Sequence, residues 1–225
     1  MKIVTTLTCV LLLQSLSQHV TAAAPAVTGD VVSLPFPPAS VDIGDLESNT
    51  KTFFFLERTG VELPANFNVN IVAPGTYQGT STGDVNSLPE GDLVDSYFVH
   101  FDPIGAPTSA DPARFSDGSI TFEKEVIAII TQDGLLETSE SLGFASPTTL
   151  YPAPGTAPDR GVDAVVNATD LVQLSPDRHS VSFLFAARNP GDQMRILVAS
   201  EVPEPVSVLL ASLCGVAGML VRRRW

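Results

Sequence analysis

Along the middle of the chain, short apolar stretches alternate with clusters of Gly, Pro, Asn and Asp. Thr52-Phe53-Phe54-Phe55-Leu56 is an apolar run, and Arg58-Thr59-Gly60 after it reads as a turn. Phe67, Val69 and Ile71 alternate with asparagines at period two, the mark of a half-buried strand. Pro74-Gly75 and the stretch from Gly79 to Pro89 read as a long polar loop. Leu93 to Phe101 puts Tyr97, Val99 and Phe101 on one face and Phe98 and His100 on the other, and Asp102-Pro103-Ile104-Gly105 closes it.

The stretch Ile120 to Ile130 begins after an expected turn at Ser116-Asp117-Gly118. Its continuous run Val126-Ile127-Ala128-Ile129-Ile130 predicts a central strand covered on both faces. Leu135 to Leu142 is the one short helix the pattern predicts, and Tyr151 to Pro158 is a Pro/Gly loop. Asp170 to Leu174 and Val181 to Ala187 flank Ser175-Pro176-Asp177-Arg178-His179-Ser180, a hairpin with Pro and Asp in turn positions. Met194, Ile196 and Val198 then alternate with Gln193, Arg195 and Leu197. About eight short strands with frequent turns predict an all-β domain, a β-sandwich or jelly roll. Sixteen prolines before Val202 suit loops and sheet edges, and residues 25–40, with Pro35, Pro37 and Pro38, form an extended lead-in that packs along an edge.

Both ends break this pattern. Lys2, an apolar stretch to Leu16 and the small residues Ala22, Ala23 and Ala24 read as a secretory signal peptide over 1–24. Cleavage after Ala22 or after Ala24 fits equally well. At the other end, 206–221 is an uncharged run of 16 residues followed by Arg222-Arg223-Arg224-Trp225. As a helix it would be about 24 Å long, short of the roughly 30 Å hydrocarbon core. Three arginines after an apolar run are a stop signal and belong on the cytoplasmic side, which puts the preceding domain outside. Ahead of the run, Pro203 and Pro205 force Val202 and Glu204 into extended conformations, giving a stiff peptide that a protease groove accepts.

The Val202-Pro203-Glu204-Pro205 motif, the short apolar segment and the Arg-rich end closely resemble the PEP-CTERM sorting signal of Gram-negative and related bacteria. The resemblance is confined to 202–225. It implies processing at Pro203-Glu204-Pro205 by an exosortase, a membrane-embedded transpeptidase-like enzyme, with the arginines holding the tail in the inner membrane until cutting. Delivery to the cell surface or an exopolysaccharide matrix would follow. A plain anchor that is never cut is the alternative. The partners implied are the export machinery, signal peptidase, the exosortase and, transiently, the membrane.

Charge and cysteine usage narrow what the middle, 25–201, can do. All 25 acidic residues fall between Pro25 and Pro205 with only eight basic ones, a net charge of −17. That excludes nucleic acid, whose phosphates dominate affinity, and suits solubility outside the cell and attraction for divalent cations. Cys9 and Cys214 lie in the apolar ends, so the domain between has no disulfide, thiolate nucleophile or thiolate metal ligand.

Candidate chemistry is sparse. His100 on a strand and His179 in a turn are the histidines outside the signal peptide, and with no cysteine they read as structural or surface residues. The Gly-rich phosphate loops are missing from the sequence. Glu123 and Glu125, two apart on a strand, would lie about 6.6 Å apart on one face, within glycosidase range. Asp84, Glu90, Asp92 and Asp95 near one loop, and Asp111 and Asp117 near another, offer oxygens of the kind calcium takes, without an EF-hand pattern. Asn167-Ala168-Thr169 is a formal glycosylation sequon, which in a bacterial-type export setting reads as a chance match. Trp225 is the single tryptophan, so aromatic sugar platforms are few.

The expectation is a non-catalytic surface or matrix protein with no catalytic residues, metal or cofactor. Two alternatives stay open: a calcium-assisted binder of extracellular polysaccharide, and an acid–base hydrolase using Glu123 and Glu125.

Overall fold

The computed structural model describes residues 23–78, 85–105, 113–155, 160–162, 170–187 and 191–200. Ala22, the sorting motif Val202–Pro205, the apolar run 206–221 and Arg222, Arg223 and Arg224 lie outside the described residues. Those described are mostly β, with twelve strands and one short helix, no helix being long and apolar enough to cross a membrane.

The proline-rich lead-in supplies β1 (Ala26–Gly29) and β2 (Val31–Ser33). β3 spans Thr52–Glu62, β4 Phe67–Val69, β5 Gly75–Gln78 and β6 Asn86–Leu88. β7 covers Leu93–Phe101, β8 Arg114–Thr121 and β9 Val126–Ile130, followed by α1 at Asp133–Ser141. β10 (Leu171–Leu174), β11 (Ser180–Ala187) and β12 (Asp192–Ala199) complete the order.

Two five-stranded sheets carry the fold. The first runs β1-β8-β11-β10-β5 and is antiparallel throughout. The second runs β2-β3-β7-β12-β9 and is antiparallel except where β2 lies parallel to β3. A separate ribbon pairs β4 with β6. The lead-in therefore edges both sheets, crossing from one to the other at Gly29, whose φ of 76° favours glycine. A Cβ there would stand 2.6 Å from the Asp117 carbonyl oxygen.

Alternation along the strands decides what each face meets. Ile120, Val181, Phe183 and Phe185 of the first sheet share one apolar cluster with Phe54, Val99, Met194 and Ile196 of the second. The second sheet is covered on its other face too, where Phe55, Phe98, Ile130 and Leu197 cluster with Leu136 of α1, Phe67, Val69 and Phe144. Each such buried phenylalanine or leucine stabilises the fold by about 1.5–3 kcal/mol. Burial on both sides explains why Val126–Ile130 is apolar without alternation. Yet β9 stands last in its sheet, with a single bridge from Ile71 to Ile129 on its outer side.

The helix ends where local chemistry dictates. Gly143, with φ of 88°, donates its N–H to the Glu140 carbonyl at 3.0 Å, and Phe144 donates to that of Ser139 at 3.1 Å. This is a Schellman ending, and Phe144 just beyond it stacks on Phe67 of β4 at 4.5 Å.

Several expected turns are strand instead. Ser116-Asp117-Gly118 lies inside β8, because Gly118 sits between Gly29 of β1 and Phe183 of β11. Arg58-Thr59-Gly60 lies inside β3, which absorbs the glycine through irregular register against β7 rather than turning. The polar stretch Pro74 to Pro89 contains β5 and β6. The expected late hairpin forms, with Leu174 opposite Val181.

Candidate functional site

The second sheet places charge where a half-solvated strand would face water. Glu57 on β3, Ser96 on β7 and Arg195 on β12 share the face that α1 covers, and the Glu57 and Arg195 side chains are both 0% exposed. Arg195 donates Nε to Glu57 Oε2 at 2.7 Å and Nη2 to Oε1 at 2.8 Å, a bidentate pair. Its Nη1 donates to the Leu136 carbonyl at 3.3 Å and to Ser139 Oγ, both on α1. Ser96 Oγ and the Tyr151 hydroxyl donate to the Glu57 carboxylate at 2.7 and 2.5 Å. The Phe98 and Tyr151 rings flank the guanidinium, their centroids 5.2 and 5.9 Å away.

A second arginine extends the network. Arg160, 1% exposed, bonds Glu140 through Nη2 and lies 3.2 Å from Asp133 through Nε. Burial disfavours the Arg195 cation, but Glu57, helped by Tyr151 and Glu140, outweighs it and holds that pKa above its ordinary value. Burial likewise raises Glu140 against the opposing pull of Arg160, and raises the Tyr151 hydroxyl, with the Glu57 charge adding to it. No face of the Glu57–Arg195 pair is open to a substrate. Chemically it is an anchor that ties one face of α1 to three strands.

A second polar cluster surrounds His100, 1% exposed on β7. Gln193 Nε2 donates to His100 Nδ1 at 3.0 Å and to the Val41 carbonyl at 3.1 Å, so Nε2 of the ring carries the hydrogen and donates to the Asp45 carbonyl at 3.2 Å. Burial lowers the His100 pKa to about 4, which keeps the ring neutral. Nearby, Asp102 accepts from the Gly44 N–H at 2.8 Å. Burial pushes its carboxyl up to about 6, against the Gly44 and Gly191 N–H groups and with Glu47 and Asp45 adding to the rise.

No family model, curated protein or solved structure matches the chain. The site has to be read from its own geometry.

The structure scatters the residues singled out from the sequence. Glu123 and Glu125 occupy the bend between β8 and β9 rather than a strand, so the period-two argument for a shared face does not hold for them. They serve different partners: Glu125 pairs with Arg178 Nε at 2.7 Å, and Glu123 Oε2 accepts from the Ala23 N–H at 3.1 Å. His179 sits in the hairpin turn with Nδ1 3.3 Å from the Phe122 carbonyl oxygen. Of the acidic residues considered for calcium, Asp84 and Asp111 lie outside the described residues. Asp95, within β7, accepts from the Gly60 N–H of β3 at 2.9 Å. Among the described residues no three His, Cys, Asp or Glu side chains converge as a metal site needs. Asn167, Ala168 and Thr169 lie outside the described residues.

Glu57, Arg160 and Arg195 carry the buried chemistry, and pattern reading passed over them. The available signal was an isolated charge inside an apolar strand: Glu57 after Phe53-Phe54-Phe55-Leu56, and Arg195 between Met194 and Ile196. Arg178 lies instead in the hairpin turn between β10 and β11. It donates to the Val126 carbonyl at 2.8 Å, Ile127 at 2.9 Å and Val72 at 2.9 Å, protecting the outer edge of β9.

Proposed function

We propose that this chain is an exported cell-surface or extracellular-matrix protein, delivered through its PEP-CTERM-like tail. Its ectodomain is a β-sandwich with a structural or binding role and no catalysis. Two sheets sharing one apolar cluster favour the sandwich reading. A core complete without cysteine suits a domain that folds outside the cell on burial alone. Buried charges that satisfy one another inside the fold favour a scaffold over a reaction centre.

One observation carries the reading. The two ends of the described domain meet the same short bend: the Ala23 N–H donates to Glu123 Oε2, and the Ala199 N–H donates to the Glu125 carbonyl at 2.9 Å. The Ser200 N–H is held by the Leu93 carbonyl at 2.9 Å, two residues before Val202 begins the sorting motif. A domain whose two ends lie together can be held at that end by its C-terminal tail until cutting, with the rest of its surface directed outward.

Mass spectrometry of protein recovered from outside the producing cell tests the proposal. A C-terminus near Pro203-Glu204-Pro205, with Arg222, Arg223 and Arg224 lost, is the expected result. Recovery with the three arginines intact overturns it.

A further inference from the structure

We propose that the mature chain begins at Ala23, whose freed α-ammonium is paired by Glu123 across the end of the first sheet. The inference rests on the export reading above and decides between cleavage positions that small-residue spacing leaves equivalent. In the uncut chain the Ala23 amide already donates to Glu123 Oε2 at 3.1 Å, a contact spanning 100 positions. Both Ala23 and Ala24 are exposed, and Pro25 is half-buried where the chain enters β1.

Hydrolysis of the Ala22–Ala23 bond adds hydroxide from water to the Ala22 carbonyl carbon and a proton to the Ala23 nitrogen. The C–N bond breaks, leaving a carboxylate on the signal and an ammonium on the domain. That ammonium replaces the single N–H with three donors and a positive charge at the spot the Glu123 carboxylate occupies, turning a neutral–ion contact into an ion pair. The rival cut after Ala24 must hydrolyse an X-Pro tertiary amide and would yield a ring amine at Pro25. It would also discard Ala23 and leave Glu123 without this partner. Cutting after Ala23 discards it as well.

The register fixes the placement. Ala26 lies opposite Thr121, so the three residues before β1 run alongside the bend that follows β8. Glu125, on the same bend, is already committed to Arg178, which leaves Glu123 for the terminus.

The full chain with its own leader is expressed in an exporting Gram-negative host, and the N-terminal peptide of the exported protein is identified by mass spectrometry. A peptide starting at Ala23 is expected. A start at Ala24 or Pro25 overturns the inference while leaving export standing, and a chain that keeps Met1 overturns both. On the exported protein, acylation of the α-amino group at pH 7 is expected to be about 3-fold faster in Glu123→Gln than in the wild type, because the carboxylate keeps the amine protonated. Equal rates overturn the ion pair. Glu123 is exposed in a bend, so the variant folds.

Discussion

Removing the Glu57 carboxylate is the sharpest test of how the second sheet holds its helix. In Glu57→Leu, the Arg195 guanidinium stays 0% exposed but loses both of its bonds to a carboxylate, at 2.7 and 2.8 Å. The nearest remaining carboxylate oxygen is Glu140 Oε1, 3.9 Å from Nη2 and shared with Arg160. Ser96 and Tyr151 lose their acceptor at the same time. Leaving one member of a buried pair uncompensated costs about 3–5 kcal/mol. Glu140 offsets a part of that, so a loss of about 3 kcal/mol is expected. With a urea slope of about 2 kcal/mol per molar for a domain this size, the midpoint falls by about 1.5 M. Amides of α1 lose exchange protection first, since Arg195 is bonded to Leu136 and Ser139. Adding Arg195→Met removes the orphaned charge, and the double variant recovers at least half of the loss. Urea titrations of the wild type, both single variants and the double variant form the cycle. A Glu57→Leu loss under about 1 kcal/mol, or a double variant as unstable as the two single losses combined, would refute the claim that these charges are dry and mutually dependent.

Three further outcomes follow from the same geometry. His100 is held near 4 against an ordinary 6.5, so the unfolded chain binds its proton first, and the stability it contributes above about pH 6.5 is lost as pH falls toward 4. Urea midpoints of His100→Gln should lack that acid-side loss, on the order of 2–3 kcal/mol, and an unchanged slope counts against the buried neutral ring. Asp102 has the opposite sign: raised to about 6 from 3.8, it favours the fold below about pH 4 and loses that contribution as pH rises through 6. Asp102→Asn therefore changes the pH dependence between 4 and 6 by about 1–2 kcal/mol in the direction opposite to His100→Gln, and a shift of the same sign rules the assignment out. Gly118→Ala would bring a Cβ within 2.3 Å of Val31 Cγ2 and 2.9 Å of the Thr28 carbonyl oxygen, displacing the lead-in from both sheet edges. The expected loss is about 2–4 kcal/mol by thermal melting, and a melt within error of wild type would mean that β1 and β2 are not seated there.

Local order in the residues was enough for the inward faces and the late hairpin. Val181, Phe183 and Phe185 alternate with polar or smaller neighbours, and Pro176 and Asp177 turn the chain, so both the strand and its register follow from short-range rules. Leu142-Gly143-Phe144 likewise marks the helix end, because glycine alone adopts a positive φ without cost and Phe144 needs an apolar partner. The two apolar ends and the −17 charge between them are also properties of the chain itself, and the export proposal stands on them.

What tertiary structure decided is which polar residues leave water. Gln193, Arg195 and His100 look like the wet side of half-buried strands, and they would be if nothing covered that face. They are buried because α1 and the segment around Val41 close over it. Glu57 meets Arg195 across 138 positions and Ala23 meets Glu123 across 100, separations no local pattern encodes. Gly118 is strand rather than turn for the same reason: glycine permits a turn, but the neighbouring lead-in needs its missing side chain instead. Periodicity records what one strand prefers, whereas burial of a charge depends on whether a distant partner arrives to neutralise it.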